Sequence, residues 1–249
     1  MRTPKTVAIF GATSAVAQDV ARLYAAQGAR LALVGRNPTK LRALSDEIEP
    51  QVAFLHVQDF ADTAAAEACV LAVARELGGI DVALIAHGLL GDQRESEQTL
   101  APALEMAHVN YTSVVALLIP LANVLAAQGR GQIAVISSVA AERGRPRNYT
   151  YAAAKSALNT YLQGLRSRLY ASGVTVHTIK LGPTDTPMTV DHRKNALFTS
   201  SAEAGRGIVD ALARDVSEAY VPRYWRPIMF VVRNLPEAVF QRIGALSGR

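Results

Sequence analysis

Short, nearly uninterrupted apolar runs alternate with longer stretches of helical periodicity from one end of the chain to the other. The runs at 6–10, 30–34, 52–56, 82–85, 132–136, 175–179 and 219–221 read as strands. The stretches at 15–27, 39–49, 63–77, 101–127, 150–172 and 202–214 read as helices. The strand runs are apolar at successive positions rather than at every second one, so both of their faces are buried, as in a parallel sheet between two helix layers. Gly28, Gly78 and Gly173 stand just past predicted helix ends, where a glycine closes a helix most readily. Nothing along the chain reads as an internal repeat, a low-complexity tract or a Pro/Gly linker. The expected architecture is one α/β domain over residues 1–249, a doubly wound parallel sheet of about seven strands with helices on both faces.

Composition narrows the class further. Half of the 249 residues are apolar and only 19% are charged, which supports a large core and excludes a disordered chain. The single Cys69 excludes an internal disulfide and suits a reducing compartment. Met1-Arg-Thr-Pro-Lys leads straight into the first strand with no signal-peptide pattern, so a cytoplasmic location is expected. The longest apolar run, 114–127, is interrupted by Pro120 and Asn123 and reads as a buried helix rather than a bilayer span. A formal net charge of +5 would attract phosphates. Lys and Arg form no dense run, however, and no aromatic-basic stacking platform is present, so nucleic acid is not an expected partner.

Two constellations carry chemistry. Tyr151 and Lys155 are four apart on a predicted helix and project from one face, with Ser138 thirteen residues upstream of the tyrosine. An unperturbed Tyr hydroxyl has a pKa of about 10, and a neighbouring ammonium is expected to draw it down toward a useful range. A Ser hydroxyl beside it could hold a carbonyl oxygen during proton transfer. The second constellation is the first strand-to-helix turn, Phe10-Gly11-Ala-Thr-Ser-Ala15-Val-Ala17. Gly11 allows a tight turn, Thr13 and Ser14 add donors, and the following helix N-terminus forms a cradle for a pyrophosphate. The second strand ends in Gly35-Arg36-Asn37, with no acid to hold a ribose 2′-hydroxyl and an Arg suited to a 2′-phosphate, which favours NADP over NAD. Asp59, at the end of the third strand, could accept from an adenine amino group.

These residues together resemble the short-chain dehydrogenase/reductase family along nearly the whole chain. Gly11-Ala-Thr-Ser-Ala-Val-Ala is similar to its T-G-x-x-x-G-x-G, with Phe10, Ala15 and Ala17 as departures. Ala86-His87-Gly88 resembles its N-A-G, with His87 taken to stand for the asparagine, and Asn110 matches its helix asparagine. Ser138, Tyr151 and Lys155 match its catalytic set, and Leu181-Gly182-Pro-Thr-Asp-Thr186-Pro-Met resembles its P-G-x-x-x-T-x-M, with Leu181 for the proline. The resemblance implies a Rossmann-type fold and hydride transfer between a nicotinamide and a carbonyl or secondary alcohol. It implies Tyr151 as proton donor or acceptor, Lys155 on the nicotinamide ribose, Ser138 on the substrate oxygen, and Asn110 holding a water that links Lys155 to solvent. The implied dinucleotide contacts are Gly11, Thr13, Ser14, Val16, Arg36, Asp59, Phe60, Ala86, Gly88, Tyr151, Lys155, Gly182, Thr184 and Thr186. No metal is implied. A dinucleotide-binding regulator or scaffold without turnover is the alternative, against which the intact catalytic set argues.

Two regions are expected to shape the substrate side. One is a lid within 184–214, carrying Met188, His192 and Phe198. The other is the tail, 222–249, which gathers the only Trp, Trp225, with Met229, Phe230 and Phe240 among Arg223, Arg226, Arg233 and Arg242. Such a tail suits a membrane surface or a lipid-phosphate substrate, or else a C-terminal helix packed on the core or on a partner subunit. With Gly88-Leu-Leu-Gly-Asp and Ser138-Val-Ala-Ala-Glu-Arg, it resembles the subgroup containing the reductase of decaprenylphosphoryl-2-keto-erythro-pentose, which implies a lipid-linked keto sugar or another hydrophobic ketone. The long helices at 101–127 and 150–172 imply, by the same resemblance, a homodimer or homotetramer. Peripheral contact with the inner face of the membrane through the tail is a further expectation.

Overall fold

The computed structural model describes residues 4–190 and 194–244. Its strands are β1 (Thr6–Phe10), β2 (Arg30–Gly35), β3 (Val52–Val57), β4 (Val82–Ile85), β5 (Gly131–Ser138), β6 (Val174–Leu181), β7 (Thr184–Asp185), β8 (Thr199–Ser200) and β9 (Glu218–Val221). Seven of them form one parallel sheet in the order β3-β2-β1-β4-β5-β6-β9, while β7 and β8 pair separately. The helices are α1 (Ala15–Ala26), α2 (Pro38–Glu47), α3 (Ala66–Leu77), α4 (Gln93–Gln98), α5 (Leu100–Ala107), α6 (Ser113–Gln128), α7 (Tyr149–Leu169), α8 (Ser201–Ala213), α9 (Trp225–Asn234) and α10 (Glu237–Phe240). All seven predicted sheet strands are present, in the doubly wound arrangement expected.

The continuous apolar runs are explained by two cores, one on each face of the sheet. Along β1, Val7 and Ile9 enter the core under α1, α2 and α8, and Ala8 and Phe10 enter the one under α3, α6 and α7. The same alternation holds in β4, with Val82 and Leu84 on one side and Ala83 and Ile85 on the other. Each fully buried Leu, Ile or Phe contributes roughly 1.5–3 kcal/mol, so neither face can be made polar cheaply. Gly28, Gly78 and Gly173 all take positive φ just past a helix, as their positions suggested.

Three features refine the sequence reading. The stretch predicted as one helix over 101–127 is α5 and α6 joined by a π turn, His108–Thr112. Leu100–Gln128 is long and apolar enough to cross a bilayer, yet Val114, Leu117, Leu118 and Leu121 are packed inside the core. Within the region expected as a lid, α8 is a core helix, with Ala204, Ile208, Ala211 and Leu212 buried against α1 and the sheet. His192 lies outside the described residues. Finally, the tail folds back as α9 and α10, and its Trp225, Met229, Val232 and Phe240 make a third small core with Val139.

Candidate active site

Strands β1 and β4 are neighbours whose following helices lie on opposite faces, so a crevice opens at their carboxyl ends. Gly11 begins the turn with φ +89°, and a Cβ there would come within 2.6 Å of the His87 backbone nitrogen. Only a glycine allows β1 and the chain after β4 to approach this closely. Ser14 caps α1 by position but makes no side-chain cap bond, and no acid occupies the helix's first turn. The leading N–H groups of α1, including that of Val16, therefore have no partner within the helix. Such donors, at the positive end of the helix dipole, fit a pyrophosphate. The side chain of Val16 is buried in the core, so only its backbone could face a ligand. Thr13 packs beside Gly35, where a Cβ would lie 3.2 Å from its methyl.

Arg36 projects into solvent from the end of β2, with no ion pair or hydrogen bond among the described residues, while the following Asn37 is engaged in capping α2. Asp59 is exposed and accepts from the Ala61 N–H at 3.0 Å. Phe60 is buried and stacks on His87, with ring centroids 4.4 Å apart. Read residue by residue, the tripeptide after β4 puts Ala86, not His87, in the first position. Ala86 is buried and its N–H is given to the Phe10 carbonyl at 2.7 Å. His87 Nε2 donates to Ser113 Oγ at 2.8 Å, since that hydroxyl donates in turn to the Val109 carbonyl. Burial, with the nearby Lys155 charge, lowers the imidazole to about 3, so it is neutral.

The four predicted catalytic residues come together at the ends of β4 and β5. Ser138 closes β5, its hydroxyl accepts from the Ala140 N–H at 3.1 Å, and it hydrogen-bonds the Tyr151 hydroxyl. Lys155 is only 3% exposed and donates to the Ile136 carbonyl at 3.1 Å. Its Nζ is 5.9 Å from the Tyr151 ring centroid. Asn110 sits in the π turn, where Oδ1 accepts from Leu89 N–H at 3.1 Å and Nδ2 donates to the Leu89 and Met106 carbonyls at 2.7 and 2.9 Å. Gly88 is the seam: a Cβ there would meet Asn110 Oδ1 at 3.0 Å and Lys155 Nζ at 3.4 Å.

One expectation needs correction here. Burial raises the Tyr151 phenol to about 12, and the hydrogen bond from Ser138 offsets this only in part. The expected downward pull of Lys155 does not prevail, because the ammonium is turned to the Ile136 carbonyl and is itself lowered by burial to about 8. Both Nδ2 donors of Asn110 are committed to backbone carbonyls, and its Oδ1 accepts from the Leu89 N–H. Its side chain is a clamp between the π turn and the loop after β4.

The model of the short chain dehydrogenases matches residues 5–197. The chain belongs to this family. An uncharacterized oxidoreductase of Mycobacterium tuberculosis is 32% identical over 240 residues, covering 95% of this chain and 96% of that one. Among solved structures, levodione reductase superposes with a TM-score of 0.79 at 25% identity, covering 88% of this chain and 97% of the other. A short chain dehydrogenase from Burkholderia cenocepacia, in complex with NADP, gives a TM-score of 0.82 at 18% identity over 96% and 97% of the two chains. The protein is thus an oxidoreductase enzyme of the nicotinamide-dependent short-chain class.

As a short-chain dehydrogenase it departs from the family motif in ways the packing explains. The Ala17 methyl is buried in the core under α1 rather than facing the crevice, and Leu181 packs against the same core. Gly182 gives its N–H to the Val221 carbonyl, and a Cβ on it would lie 2.1 Å from Trp225 Nε1. Thr184 is buried and pairs with Thr199, and Thr186 caps a short turn closed by Thr189. The sequence reading missed the residues that tie the tail to the catalytic loop. Arg143 donates to the Val232 and Leu235 carbonyls at 2.7 and 2.6 Å, pairs with Glu237 at 2.7 Å, and lies 4.0 Å over the Phe240 ring. Its neighbour Glu142, buried, pairs with Lys180 and with Arg233 of α9. Both were visible only as part of a Glu-Arg dipeptide after Ser138.

Proposed function

We propose that the protein reduces a carbonyl group to an alcohol with NADPH as the preferred cofactor. The observation that carries this reading is the pair of hydroxyls, Ser138 and Tyr151, hydrogen-bonded to each other above a buried lysine. When bound, the dinucleotide supplies the hydride that attacks the carbonyl carbon. Ser138 holds the carbonyl oxygen by a hydrogen bond. Tyr151, protonated at neutral pH because burial holds its phenol near 12, donates its proton to that oxygen as negative charge develops. Lys155, an ammonium below about pH 8, places positive charge near the ring and steadies the phenolate left behind. A site resting with its phenol protonated is poised for reduction rather than alcohol oxidation.

Tyr151→Phe tests the assignment. Turnover should fall about 10²–10⁴-fold, the size of a lost general acid, while NADPH still binds. Near-wild-type turnover would overturn the role. The preference for NADPH rests on Arg36, exposed and without a partner beside the crevice, and the NADP in the Burkholderia cenocepacia relative supports it. Arg36→Ala should weaken NADPH by roughly tenfold, a solvent-exposed charge-assisted contact, and leave NADH nearly unchanged. Equal losses for the two cofactors would remove the 2′-phosphate role.

A further inference from the structure

Four buried side-chain polar atoms lack a hydrogen-bond partner among the described residues: His87 Nδ1, Arg145 Nε, Asn148 Oδ1 and Trp225 Nε1. Folded proteins leave few such atoms, and each calls for an explanation, often a ligand. His87 lies against the Gly11 turn. Arg145 and Asn148 lie on the loop that leads from Ser138 to Tyr151, and Trp225 begins the tail helix α9, which packs on Val139 of that loop.

Arg145 is the decisive residue. It has no carboxylate partner among the described residues, and its Nη2 meets the Met229 sulfur at 3.6 Å, a thioether that offers almost no charge compensation. The residue is half-buried with its Nε fully buried, and a cation so placed without an anion is costly. Burial lowers its pKa and no acidic neighbour raises it. Asn148 closes a turn onto Arg145, its N–H going to the Arg145 carbonyl at 3.0 Å, and sits one residue ahead of the catalytic helix α7. Trp225, 5% exposed, shares one face of α9 with Met229, and both pack on Val139, the residue after Ser138. The unpaired cation and the unpaired acceptor therefore share the loop between the two catalytic hydroxyls, on the side that meets α9, while the indole N–H of Trp225 lies against Gly182.

We propose that Arg145, with Asn148 on the same turn, is a subsite for an anionic group, so that the substrate is a carbonyl compound that also carries a carboxylate or phosphate. The subsite deepens the reading of Tyr151 as the reducing centre and rests on it for the word substrate, but not for the binding of an anion. Asn148 Oδ1 would take a hydroxyl of the same ligand, and Arg145 would gain the counter-charge the fold does not give it.

Trp225 is the only tryptophan, so its fluorescence reports on the subsite without turnover. Titration of the protein with inorganic phosphate and with levulinate should give a saturable change with at least one of them. The change should be lost in Arg145→Gln, weakened in Arg145→Lys, and kept in Tyr151→Phe. In turnover, dihydroxyacetone phosphate is compared with dihydroxyacetone, and levulinate with its methyl ester. The charged member of one pair should be favoured by about tenfold or more in kcat/KM, and Arg145→Gln should bring that ratio close to one. The pair that discriminates tells phosphate from carboxylate. The proposal is overturned if neither anion gives a saturable response, if the response survives in Arg145→Gln, or if neither pair discriminates. If the anion response behaves as expected but Tyr151→Phe reduces ketones normally, the subsite stands and the catalytic reading fails.

Discussion

Replacing Asn110 by Ala separates a structural clamp from a proton relay. The side chain makes three hydrogen bonds, to the Leu89 N–H, the Leu89 carbonyl and the Met106 carbonyl, and is itself fully buried. Each is worth about 1 kcal/mol net, and each partner left unpaired inside the protein adds to the loss, so the variant should lose roughly 3 kcal/mol. In a chain of this size that lowers Tm by about 10 °C. Asn110→Asp should be worse than Asn110→Ala, because a carboxylate still accepts from the Leu89 N–H but then faces two carbonyl oxygens. Urea unfolding followed by far-UV circular dichroism, read at unchanged slope, measures the order Asn, Ala, Asp. Turnover should fall along with stability, since Gly88 and Lys155 pack on the same amide. A loss below about 0.5 kcal/mol with turnover abolished would refute the clamp and return Asn110 to a relay.

Two further outcomes follow from the charges around the site. Lys155 is depressed to about 8, so it is an ammonium below that pH and neutral above it; kcat/KM for NADPH in the reductive direction should fall as pH rises through about 8, and Lys155→Arg should move that break upward. A profile flat from neutral pH to about 10 in the wild type would contradict the assignment. Arg143→Ala removes two short bonds to the last carbonyls of α9 together with the Glu237 pair, so amide exchange across 225–240 should accelerate by about tenfold or more, while β1 and β4 keep their protection.

The sheet was legible because its strands are buried on both faces, which leaves an apolar run that no turn or surface helix imitates. Tyr151 and Lys155 were legible as a pair because four residues on a helix set their separation. Their protonation was not, because the spacing says nothing of where the ammonium turns. Once the Lys155 ammonium donates its hydrogen bond to the Ile136 carbonyl, burial decides both pKa values, raising the phenol and lowering the amine. The π turn at His108–Thr112 was not legible either: its residues are weak helix formers, but that alone does not mark where a helix widens, and the clamp that holds it, Asn110 on Leu89, spans twenty-one positions.

The tail shows how one pattern admits two surroundings. Trp225, Met229 and Val232 recur at helical spacing, and the arginines beside them left a lipid-facing surface open next to a helix packed on the core. The apolar stripe faces inward instead, and the charges that turn it inward belong to the loop between Ser138 and Tyr151. That loop therefore has two consequences. Glu142 and Arg143 are paired and tie α9 to the loop, whereas Arg145 and Asn148, a few residues on, keep buried atoms without a partner among the described residues. A fold that pairs two residues of one short loop so completely and leaves the next two wanting has divided the loop between holding the tail and meeting a ligand.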